Sequence, residues 1–157
     1  MTDVKTAIKF FFALMTIGTA AWADSAPVKA AAERNIPGLT WQADSVLTGD
    51  FSCEGREQYA ILGTNPSDIV IAVFLKGLDS KPEILHYSTK ARRPADVKIK
   101  TESMDFKLDE LKDEIGAIPE GMHTSKTCKG LNLSDDRTDS AHIYWNHVKH
   151  EFDDWGL

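Results

Sequence analysis

Ile69-Val70-Ile71-Ala72-Val73-Phe74-Leu75 places seven apolar residues in a row, most of them β-branched, between Asn65-Pro66-Ser67 and Lys76-Gly77. A short apolar run held between turn residues reads as a strand at the centre of a sheet. Glu57–Leu62 precedes it and Pro82–Ser88 follows it, each across a short polar break. Three strands joined so closely form an antiparallel meander most simply.

Working outward, Leu39–Leu47 mixes apolar and polar residues and is expected to form one further strand. Lys90–Asp96 is basic, contains proline and reads as an exposed loop, while Val97–Lys100 alternates and reads as an edge strand guarded by lysines. In Phe106–Ile115, the residues Leu108, Leu111 and Ile115 recur at helical spacing among charges, ahead of Gly116. Lys126–Leu133, Ala141–Trp145 and Glu151–Leu157 are late strand candidates. The expectation is a single small α+β domain dominated by an antiparallel sheet, with one or two short helices and one disulfide. Residues 39–157 form the globular part, and 24–38 form a leader segment or short helix.

The amino terminus has a different character. Lys5 and Lys9 precede the apolar run Phe10–Ala20, and Ala21-Trp22-Ala23 puts small residues at the −3 and −1 positions before Asp24. A positive stretch, a short apolar stretch and an A-x-A site make up a cleavable signal peptide over residues 1–23. The run is too short for a bilayer-spanning helix, which needs about 20 apolar residues. The mature chain is therefore expected to be periplasmic or secreted, with no membrane insertion after cleavage.

Charge narrows the partners. The chain carries 18 Lys and Arg against 24 Asp and Glu. The signal segment holds two of the basic side chains and one of the acidic ones, so the exported part is more acidic still. Nucleic acid and anionic lipid are both recognised by positive charge, and this balance argues against them. The two cysteines are Cys53 and Cys128. In an oxidising compartment they read as a disulfide, the rival being two reduced structural or metal-binding thiols. In the chain-entropy account, a bridge across so long a loop contributes about 4 kcal/mol.

One stretch carries a candidate chemistry. In Gly49-Asp50-Phe51-Ser52-Cys53-Glu54-Gly55-Arg56-Glu57-Gln58-Tyr59-Ala60, oxygen-bearing side chains alternate at Asp50, Ser52 and Glu54, glycine follows, and Gln58 closes the series. Alternation around a glycine is how a tight loop wraps a hard cation. The rival reading is a hydrogen-bonded turn in which Asp50 caps backbone N–H groups. The stretch resembles the G-D-F-N-G-D-G-x-x-D-[YL]-A calcium loop of FG-GAP and VCBS-type repeats. That resemblance implies Asp50, Ser52, Glu54 and Gln58 as calcium ligands. Ser52, Glu54 and Gln58 each depart from the Asn or Asp of that loop, and Cys53 replaces a small residue. Over most of the mature chain, the order G-D-F-x-C-x-G, then Cys128-Lys129-Gly130-Leu131-Asn132-Leu133-Ser134-Asp135, then His142-Ile143-Tyr144-Trp145-Asn146 is similar to an uncharacterised group of exported bacterial proteins. This similarity implies the Cys53–Cys128 pairing and the fold, and supplies no activity.

Other constellations are weaker. Asp135, Asp136 and Asp139 form an acidic cluster that a disulfide would bring toward the first loop. His147 and His150 would face one zinc only on a helix. No G-x-S-x-G elbow or HExxH helix occurs, so no catalytic residue is assigned. Tyr144, Trp145 and Trp155 are candidate partner-binding residues, since aromatic anchors dominate protein interfaces. The expected function is that of an exported non-catalytic protein binding a partner in the cell envelope, with an inhibitor or immunity-type role as one form of it. The alternatives are a calcium-stabilised binding module, calcium being the one candidate cofactor, and a periplasmic hydrolase, which would need a histidine hydrogen-bonded to a carboxylate.

Overall fold

The apolar run is continuous because both of its faces are covered. In the computed structural model, which describes residues 25–135 and 137–156, it forms β4 (Asp68–Phe74). The expected signal peptide lies outside the described residues. Val70, Ala72 and Phe74 point to one side of the sheet, and Ile69, Ile71 and Val73 to the other. β3 (Gln58–Thr64) pairs antiparallel with β4 from Tyr59↔Phe74 to Thr64↔Ile69 and is buried in the same two-sided way. β5 (Glu83–Ser88) completes the meander on the far side of β4. On the near side, β1 (Thr40–Trp41) and β2 (Leu47–Gly49) pair with successive halves of β3. Leu39–Leu47 is therefore not one strand. A 3-10 turn at Ala43–Ser45 divides it, because the Ser45 hydroxyl donates to Gln42 O at 2.7 Å and accepts Leu62 N–H at 2.9 Å.

A second antiparallel sheet, in the order β6 (Lys98–Ser103), β7 (Lys129–Ser134), β8 (Ala141–Asn146), β9 (Glu151–Gly156), lies against the first. Between the sheets Ile99, Leu131, Leu133 and Ile143 meet Ala60, Leu62, Ile69 and Ile71. Complete burial of each such aliphatic side chain contributes about 1.5–3 kcal/mol. The expected α+β domain is thus built on two stacked sheets. β6 is an edge strand as expected and runs further, to Ser103.

Each sheet has an outer cover. α1 (Ser25–Asn35) lays Val28, Ala31 and Ala32 on Ile61, Val70 and Phe74, with Trp41 beside them. Of the two expectations for residues 24–38, a leader segment or a short helix, the structure has the helix, and it packs as a layer of the domain. Over the second sheet, α2 (Leu108–Ile115) and the chain after it rest on Met104, Met122, Cys128 and Tyr144, with Leu111 and Trp155 packed alongside.

Candidate functional site

The turn from β2 into β3 is organised by two side chains. Asp50 Oδ1 accepts the N–H of Glu54 and Oδ2 that of Gly55, each at 2.9 Å. Gln58, fully buried at the start of β3, accepts Phe51 N–H at 2.7 Å and Ser52 N–H at 2.9 Å through Oε1. Its Nε2 donates to Ser52 Oγ. Glu54 turns outward and pairs with Arg56. Cys53 and Gly55 adopt positive φ, 59° and 73°, and so reverse the chain within four residues. Cys53 is bonded to Cys128 with Cα atoms 5.1 Å apart, and Lys129 N–H donates to Asp50 O at 3.0 Å beside that bond.

The oxygens of Asp50 and Gln58 are therefore directed at the loop's own backbone, and those of Ser52 and Glu54 at neighbouring side chains. Calcium takes six to eight oxygen ligands. Here both Asp50 oxygens hold N–H donors, Ser52 and Gln58 satisfy one another below the surface, and Glu54 faces a guanidinium. This donor set does not fit a calcium ion. Among the described residues, no group of three or more His, Cys, Asp or Glu is arranged to hold a metal.

Beside the disulfide lies a groove of about 400 Å³ lined by Asp50, Cys53, His123, Thr127 and His147 among others. The rings of His123 and His147 stack there, 4.2 Å apart and 10° from parallel. Burial, with His123 and His150 close by, holds the His147 imidazole below its ordinary range. His147 and His150 lie in the turn between β8 and β9, not on a helix, and His150 takes a positive φ of 56°. The helical spacing that a shared zinc would need is absent there.

The Asp135 cluster does not approach the loop. β7 separates it from Cys128, and a six-residue strand spans about 20 Å. Asp135 instead accepts Arg137 N–H at 3.0 Å and Thr138 N–H at 2.7 Å, while Arg92 donates to Thr138 Oγ1 and to Asp139 O. Asp136 lies outside the described residues.

A constellation that sequence reading missed occupies the outer face of the second sheet. Asn132 faces His142 across β7 and β8, and His142 faces Trp155 across β8 and β9. His142 Nδ1 is 2.9 Å from Glu102 Oε2, and its ring stacks on Trp155 at 5.1 Å. Glu102 reaches His142 past Gly130, where an added Cβ would lie 3.1 Å from the Glu102 side chain. Glu102 Oε1 and the buried Asn132 Oδ1 have no hydrogen-bond partner. Burial pushes the Glu102 carboxyl above the ordinary carboxylate range, against the opposing pull of His142. The carboxylate turns Nδ1 inward and leaves Nε2 as the remaining ring nitrogen, the arrangement of an oriented base. Among the described residues, no serine, threonine or cysteine side chain is hydrogen-bonded to His142. Nothing in the local pattern marks Glu102 as its partner, since the two are 40 positions apart.

Of the candidate partner-binding aromatics, Tyr144 is buried and donates its hydroxyl to Glu120 O at 3.0 Å, which makes it a core residue. Trp145 is half-buried and packs edge-on against Phe152 at 5.1 Å, and Trp155 is half-buried under His142.

Comparison with family models, curated proteins and solved structures finds no match. The resemblance to the FG-GAP calcium loop thus rests on residues 49–60 alone.

Proposed function

We propose that this chain is an exported, non-catalytic binding protein that works on a protein partner in the cell envelope or beyond. One observation carries the reading: the large hydrophobic side chains left exposed among the described residues are Leu108 and Ile118, in the cover over the second sheet, and Val148, in the β8–β9 turn. Contiguous exposed apolar groups mark an interaction surface, and the hydrogen bond from His147 N–H to Gly121 O sets the segment after α2 beside the turn that carries Val148. The disulfide accords with an oxidising compartment. No helix among the described residues is long and apolar enough to cross a membrane. An inhibitor or immunity-type role against a basic toxin or cell-wall hydrolase is the form of this reading that the acidic charge favours. Pull-down from an envelope extract, with the exported chain as bait, tests it. A specific partner is expected, and an empty pull-down with folded bait sinks the reading.

The Glu102–His142 pair favours a second reading, a hydrolase in which Nε2 of His142 takes a proton from water. A chromogenic ester turned over by the wild type and not by His142→Ala would establish it. Equal background rates in both would eliminate it for that substrate class.

A further inference from the structure

We infer that the cover over the outer face of the second sheet docks a basic protein surface, with the apolar stripe of α2 at the centre of the contact; this rests on the binding reading above. The helix repeats Leu108, Leu111 and Ile115 at helical spacing, yet none of its residues is buried. Leu111 touches the cluster beneath, while Leu108 is 36% exposed, and Ile118, one turn beyond the helix, is 40% exposed. An eight-residue helix has little stability of its own and depends on burial of its apolar face. A stripe half covered in the isolated chain is completed by a partner.

Ile118 and Val148 share one platform. His147 N–H donates to Gly121 O at 3.0 Å, which sets the chain after α2 against the β8–β9 turn that carries Val148. Tyr144 O–H donates to Glu120 O and holds the same segment to β8. Val148 is 63% exposed at the edge of this platform.

Charge identifies the occupant. Residues 105–120 carry six acidic side chains against two basic ones, and Lys107 is already paired with Glu110. Asp109, Asp113 and Glu114 stand exposed around the apolar stripe. A second copy of this chain would bring the same negative charge to the contact. Anionic lipid and nucleic acid are repelled for the same reason. A cationic protein surface with an aliphatic ridge fits both the centre and the rim, and its approach is steered by the field of the acidic side chains.

The test uses the exported full chain and two synthetic amphipathic peptides of equal length, one of Lys and Leu, the other of Glu and Leu. The Lys/Leu peptide is expected to shift the amide resonances of residues 107–118 and 146–149. Its affinity should fall about tenfold or more when salt is raised from about 0.05 to about 0.3 M. Leu108→Ser with Ile118→Ser should weaken it about tenfold while the circular dichroism spectrum stays unchanged. Equal binding of the two peptides, shifts centred away from the cover, or self-association through α2 would overturn the inference. A photo-cross-linker at positions 108 and 118, with position 83 on β5 as control, separates the two proposals. If an envelope partner is captured but cross-links only at 83, the docking surface falls and the binding function stands. If nothing is captured from the envelope, the binding function falls, whatever the peptides do.

Discussion

Gln58 holds two backbone N–H groups and one hydroxyl at a position with no access to water. Each buried donor left unsatisfied costs about 1–3 kcal/mol. Gln58→Leu is therefore expected to lose about 2–4 kcal/mol in denaturant melts, more than a surface substitution and without filling any role in an ion site. Glu102 presents the opposite case. Its carboxyl is raised in the folded state, chiefly by burial. The folded chain then holds that proton more tightly than the unfolded chain does. Its contribution to stability is fullest at low pH and declines as pH rises from the ordinary carboxylate range through the raised value. Glu102→Gln keeps an acceptor for His142 and removes the decline. The variant should melt higher than the wild type at about pH 7–8 and lose that advantage toward about pH 4. Neither role is legible in one dimension. Gln58 reads as the weakened last ligand of a cation loop until Phe51 and Ser52 are seen to donate to it. Glu102 lies beyond Val97–Lys100, the strand read from sequence, and nothing local marks it.

At the scale of elements, β3, β4 and β5 were legible because their hydrophobic runs and turn residues agree, and both faces of β3 and β4 are covered. Leu39–Leu47 was not, because its division depends on Ser45 reaching Gln42 and Leu62, and Leu62 lies 17 residues away. The register it produces is exacting: Trp41 lies opposite Gly63, and a Cβ at Gly63 would lie 2.6 Å from the indole. Trp41 Nε1–H also donates to Ile36 O at 3.2 Å, which limits its retreat. Gly63→Ala should accordingly cost about 1–3 kcal/mol by overpacking, read from the thermal midpoint. The Asp50–Gln58 loop calls for a different measurement. With the Asp50 and Gln58 oxygens on backbone amides and Glu54 on Arg56, the melting temperature should be the same in millimolar calcium and in EDTA. A rise of several degrees with calcium would show that the loop rearranges around an ion.

Across the whole molecule, a helix, two sheets and a partly covered second helix succeed one another, and the Cys53–Cys128 bond joins the end of β7 to the loop between β2 and β3. Composition and the apolar runs pointed to the mostly antiparallel α+β class. That the strands divide into two stacked sheets depends on pairings no local pattern encodes, such as Lys98↔Ser134 across the length of α2 and its flanks. In the chain-entropy account, removing a link across 75 residues costs about 4 kcal/mol. Cys53→Ala with Cys128→Ala should lower the melting temperature by that measure and still give a cooperative transition. The reason is that other bonds already set the geometry there. Gln58 closes the loop from within, and Lys129 N–H on Asp50 O pins it to β7 one residue from Cys128. Noncovalent bonds on both sides of the disulfide thus hold the same geometry that the bond holds. With only two cysteines in the chain, just one intramolecular pairing exists. Closing the bond then requires a thiol oxidant and no isomerase, since the chain offers no wrong internal pairing to correct.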